Sequence, residues 1–105
     1  MITRDVLESL CLAPAPSGYE KECAYFWRNV MTPWVDQTRI DHCGNVICTL
    51  RGTDATAPEV MVFAHMDTLG FIVRRVENDG FLQVDRLGGI PEKVLPGLRL
   101  VVRNE

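Results

Sequence analysis

Two histidines occur in this sequence, His42 and His65, and the second stands in His65-Met66-Asp67. In an extended chain, residues i and i+2 point to the same side. His65 and Asp67 therefore face one pocket, while Met66 turns into the core. A neutral imidazole is a good ligand for a borderline cation such as zinc. A carboxylate beside it orients the ring and polarises the site from behind. This makes His65 the candidate metal ligand and Asp67 its candidate support. The spacing alone also fits a strand-end histidine satisfied by a turn aspartate. Placement adds weight to the metal reading. Residues Glu59 to His65 read as a strand that is apolar on both faces, which means burial on both sides in a helix-covered sheet. Its C-terminal end is where open α/β sheets hold ligands, and a polar pair there must find partners.

Other chemistries fit less well. His42, Cys43 and Cys48 suggest a zinc knuckle, but the spacing is wrong and a fourth ligand is missing, so free thiols are expected. Asp67-Thr68-Leu69-Gly70 differs from the Asp-Thr-Gly of aspartic proteases, and no second copy exists to share a proton with it. GxSxG, GxxxxGK and GxGxxG are all absent.

The elements that must position the pair follow from periodicity. Thr3 caps a short helix carrying Val6, Leu7, Leu10 and Cys11 at helical spacing, and Pro14 and Pro16 end it. Ser17-Gly18-Tyr19-Glu20 fits a capping box. The helix it would open carries Cys23, Phe26, Trp27 and Val30 on one face, a core-packing stripe, and stops near Met31 before Pro33. Val35 to Asp41 and Val46 to Arg51 form a hairpin around His42-Cys43-Gly44-Asn45. After the buried strand, Phe71 to Glu77 and Phe81 to Arg86 form a second hairpin around Asn78-Asp79-Gly80. Leu98 to Arg103 alternates as one more strand. Gly88-Gly89 is read as a turn rather than a binding loop.

Composition bounds the function. The chain has 105 residues, 47% of them hydrophobic and 24% charged, which is the balance of a folded domain. Eleven basic against 14 acidic residues give a net charge of −3. With a pI near 5.3 there is no basic surface to meet nucleic acid or an anionic membrane. The longest apolar run, Val60 to Ala64, is too short to span a bilayer. No secretory signal is visible, and four cysteines without a CxxC pair point to reduced thiols in the cytoplasm.

Three segments occur together in one order: Ala13-Pro14-Ala15-Pro16-Ser17-Gly18-Tyr19-Glu20, then Asp41 to Ile47, then Val62-Phe63-Ala64-His65-Met66-Asp67-Thr68-Leu69-Gly70-Phe71-Ile72-Val73. They resemble the N-terminal part of the dinuclear metallo-aminopeptidases of the glutamyl and tetrahedral aminopeptidase family, some members of which carry an endoglucanase label. The resemblance covers nearly the whole chain. It implies that His65 binds one of two divalent ions, zinc or cobalt, and that Asp67 is a supporting catalytic residue. It implies a peptide substrate and a homo-oligomer for the complete protein. The family usually has Glu where this chain has Thr68, so Thr68 receives no catalytic role. The bridging aspartate, the general-base glutamate and the remaining ligands of the family lie beyond an inserted β-rich domain, which leaves at most one partial metal site here.

The expected fold class is α/β. Residues 1–69 would be the N-terminal part of a metallo-exopeptidase domain, a helix-covered mixed sheet. Residues 70–105 would begin the inserted antiparallel β-domain, which is still open at Glu105. The expected function is that of an N-terminal fragment of an aminopeptidase, inactive alone. The alternative is a small non-catalytic domain that self-associates or binds a partner through exposed strand edges. A glycoside hydrolase ranks last, because no paired carboxylates are in view.

Overall fold

The structure, a computed structural model, describes residues 3–103. The chain divides into two compact units, Met1–Thr68 and Leu69–Glu105. Glu105, where the expected β-domain is still open, lies outside the described residues. Helices and antiparallel strands are both present, as the α/β class requires. The described strands form two separate two-stranded sheets.

In the first unit, helix α1 spans Arg4–Leu12. Thr3 sits at its N-cap but makes no side-chain capping bond. The helix buries no residue. Val6 and Leu10 are half-buried, while Leu7 and Leu12 are exposed. Helix α2 spans Lys21–Met31 and runs into a 3-10 turn, Thr32–Trp34, where Pro33 ends the α-helical pattern. The Thr32 hydroxyl donates back to the Arg28 carbonyl at 2.8 Å, which tightens this end.

Strands β1 (Gln37–Ile40) and β2 (Val46–Thr49) pair antiparallel, from Gln37 opposite Thr49 to Ile40 opposite Val46. Helix α2 packs on both strands. Its buried residues, Cys23 and Ala24, together with Ala15, form the whole buried apolar core of the described residues. Phe26, Trp27 and Val30 of the expected stripe are half-buried.

The turn between β1 and β2 is built on Asp41. Its Oδ1 accepts the Cys43 and Asn45 amides at 3.0 and 2.9 Å, and its Oδ2 accepts the Asn45 side-chain amide at 3.0 Å. Gly44 supplies the left-handed residue, with φ +88°. The Asn45 bonds, side chain first and then backbone, hold the Asp41 carboxyl below its ordinary range. A depressed folded pKa gives stability that is complete above the unfolded value and lost as pH falls through the folded one. The hairpin is therefore expected to loosen in acid, below the ordinary carboxylate range. Asn45→Ala should move the Asp41 titration upward in a carboxyl-detected NMR pH series. An unmoved midpoint would remove Asn45 as the cause.

In the second unit, β3 (Gly70–Val76) pairs antiparallel with β4 (Leu82–Leu87), and a bulge falls between Val73 and Arg75. The turn closes through the Glu77 amide to the Phe81 carbonyl at 2.8 Å, with Gly80 at φ +89°. Beyond it, Arg86 reaches the Ile90 carbonyl at 3.0 Å and Glu92 at 3.2 Å, which fixes the loop around a 3-10 turn, Glu92–Val94.

Three expectations fail here. Glu59 to His65 forms no strand, and Val60, Met61, Val62 and Phe63 are 84–91% exposed. Leu98 to Arg103 forms no strand either. Both segments have strand composition, but a strand exists only through the ladder of a neighbour, and none of the described residues supplies one. The third failure is the capping box. Glu20, not Ser17, is the N-cap residue of α2, and it makes no side-chain capping bond. Glu20 does reach back, accepting the Gly18 amide at 2.8 Å. Ser17 is turned elsewhere.

Candidate functional site

His65, Asp67 and Ser17 meet at one place in the first unit. No sheet positions them; two backbone links do. The Thr68 amide donates to the Ala15 carbonyl at 2.7 Å, and Pro16 and Thr68 form an isolated parallel bridge. Ala15 is 1% exposed, so this crossing is anchored in the small core. Cys23, buried on α2, directs its thiol at the Met66 carbonyl, 3.9 Å away. Burial and the nearby Glu20 charge push the Cys23 thiol pKa up, so it stays protonated and able to donate. Residues 66–68 are thus held from two sides.

Residues i and i+2 face the same side here without a strand. Met66 is half-buried, and the His65 and Asp67 side chains meet. His65 Nδ1 lies 2.8 Å from Asp67 Oδ1 and 3.2 Å from the Asp67 carbonyl oxygen. The Ser17 hydroxyl donates to Asp67 Oδ2 at 2.6 Å. Hydrogen bonds from Ser17 and then His65 hold the Asp67 carboxyl below its usual range, so it is ionised at neutral pH. Both atoms facing Nδ1 are then pure acceptors, and Nδ1 must carry the proton. In an imidazole tautomer with the proton on Nδ1, the lone pair is on Nε2. The imidazole is 85% exposed and the carboxylate 39%, so the pair adds little to stability.

This arrangement suits a metal ligand. A ligating histidine typically donates its other ring N–H to a carboxylate, which fixes the tautomer and raises the basicity of the donor nitrogen. Asp67 stands in that relation to His65, with Nε2 open for a cation. The fit extends to one ligand. Among the described residues no three His, Cys, Asp or Glu side chains gather as a metal site, so His42, in the β1–β2 turn, is not brought into a ligand group with this pair. Thr68 contributes its backbone amide and its side chain is exposed. The four cysteines are free thiols, Cys11 and Cys43 exposed and Cys23 buried.

Ser17 is the site residue that sequence reasoning missed. Its local context, with Glu three positions on, is a strong capping signal. Its actual partner lies 50 residues away, and no local pattern announces it.

The lysyl aminopeptidase of Pyrococcus furiosus is 34% identical over 97 residues, which is 90% of this chain and 27% of that protein. A TET aminopeptidase from a marine sediment thaumarchaeote superposes with a TM-score of 0.79 at 32% identity, over 87% of this chain and 25% of that one. A Thermotoga maritima protein named endoglucanase does so with a TM-score of 0.80 at 35% identity, over 87% of this chain and 29% of that one. The chain therefore spans about a quarter of the length of these relatives. The M42 glutamyl aminopeptidase family model matches residues 44–105, and the chain belongs to that family.

Proposed function

We propose that this chain carries the first metal ligand of a metal-dependent aminopeptidase acting on unblocked peptides. The observation that carries the reading is the His65–Asp67 pair: Nδ1 is committed to the carboxylate, and the imidazole is 85% exposed. His65 would hold a divalent ion, zinc or cobalt, and Asp67 would fix the ring. When bound, such ions supply Lewis-acid polarisation of a carbonyl and activation of water. The chain's own contribution is to present one imidazole whose Nδ1 is held by the Asp67 carboxylate. Residues 1–69 correspond in this reading to the start of the catalytic domain, with its helix-covered mixed sheet, and residues 70–105 to the start of the inserted β-domain. A homo-oligomer for the complete protein and a cytoplasmic location belong to the same reading; exposed free thiols at Cys11 and Cys43 support the second. Among the described residues no helix is long and apolar enough to cross a membrane.

Zinc calorimetry on metal-free chain tests the proposal. The expected result is a single weak site that His65→Ala abolishes and His42→Ala leaves within about twofold, since loss of the donor outweighs loss of any supporting group. Equal loss in both variants would count against a site at His65.

A second reading has its own observation. The apolar stretch Val60–Phe63 is almost fully exposed, which favours association through that segment with another chain.

A further inference from the structure

We infer that Ser17 is a positioning residue for the metal site: its hydroxyl fixes the Asp67 carboxylate, and the carboxylate fixes which nitrogen of His65 is free. The inference rests on the reading of His65 as a ligand and extends it to a residue from a different part of the chain.

The two carboxylate oxygens of Asp67 are used separately. Oδ2 takes the Ser17 hydroxyl at 2.6 Å and Oδ1 takes His65 Nδ1 at 2.8 Å. With both oxygens engaged, the carboxylate is held against rotation about its terminal torsion, which is otherwise broad and two-fold. Ser17 and His65 are both exposed, so packing does not impose this geometry; the hydrogen bonds do. The bonds are set up by the backbone: the Pro16–Thr68 bridge and the Thr68 amide to Ala15 bond bring residues 16–17 beside residues 67–68. Ser17 makes no helix cap that would account for it otherwise, because α2 begins at Lys21 with Glu20 as its N-cap residue. Supporting groups of this kind change metal affinity by roughly 10–100-fold when removed, because a ligand left free to rotate or change tautomer must be re-ordered on binding.

The test uses the full chain with 15N-labelled histidine, at a pH well above the ordinary histidine range. Two-bond nitrogen–proton correlation reads the tautomer of each ring, and zinc calorimetry reads affinity. The wild type should hold His65 as the Nδ1–H form. Ser17→Ala should shift it toward the Nε2–H form and weaken zinc at His65 by about tenfold, the lower end for a supporting group. Ser17→Thr should restore both readings. Ser17→Val matches Thr in shape and lacks only the hydroxyl, so the Thr–Val comparison survives any stability loss common to both. If Ser17→Ala and Ser17→Val keep wild-type tautomer and wild-type zinc affinity, Ser17 has no positioning role, while the His65 ligand stands. If wild-type chain binds no zinc through His65, the ligand reading falls. The tautomer comparison then decides alone: a shift in the Val variant upholds the hold of Ser17 on the pair, and no shift overturns it.

Discussion

Purified 105-residue chain should release no amino acid from an aminoacyl-p-nitroanilide, with or without added zinc or cobalt. Two-metal peptide hydrolysis needs several donors to fix the ions and a base to handle the proton. The chain has two histidines, and among the described residues no three potential ligands gather around His65. One imidazole with one supporting carboxylate can bind a cation weakly, but it cannot set two ions beside a substrate carbonyl. Enzymes accelerate such reactions by on the order of 10⁶-fold or more, and this chain should show none of that. The assay compares chain plus metal with metal alone. Metal-dependent release above that background, abolished by a chelator, would show that the chain contains a working site.

The second large effect concerns association. Val60, Met61, Val62 and Phe63 are consecutive and 84–91% exposed, and among the described residues the buried apolar core consists of Ala15, Cys23 and Ala24. A soluble monomer rarely leaves such a contiguous apolar segment in water. Each of these side chains would gain roughly 1.5–3 kcal/mol from full burial. The chain should therefore elute above its 11.8 kDa mass in a concentration-dependent way, and Val62→Lys with Phe63→Lys should return it toward monomer. A wild-type chain that stays monomeric across the range accessible to light scattering would refute this. The two predictions are read separately: the first by release of an amino acid and the second by the mass in solution.

Local chemistry made much of this architecture readable. The Asn78-Asp79-Gly80 turn and its flanking strands, the Gly44 turn, and the end of α2 before Pro33 each depend on a few neighbouring residues, and each forms as its sequence indicates. The His65–Asp67 contact was legible for the same reason, since two residues of separation suffice to bring the groups together. What was illegible depends on distant partners. Val60–Phe63 has the composition of a doubly buried strand, but composition records what a segment can pair with, not whether a neighbour is present. Ser17 shows the opposite case, in which a local motif predicted a cap and a residue 50 positions away took the hydroxyl instead. The register bulge between Val73 and Arg75 left no local signal that distinguished it, whereas Asp41 organises its turn through residues only two and four positions on, which is a local Asx-type signal.

The central claim is that His65 offers Nε2 to a divalent cation while Asp67 holds Nδ1–H. Zinc titration of the 15N-histidine-labelled chain, followed on both imidazole rings, tests it most directly. Nε2 of His65 is expected to shift with added zinc, Nδ1 to keep its proton, and His42 to respond far less. A His65 ring that is silent at saturating zinc, or one that responds through Nδ1, would contradict it.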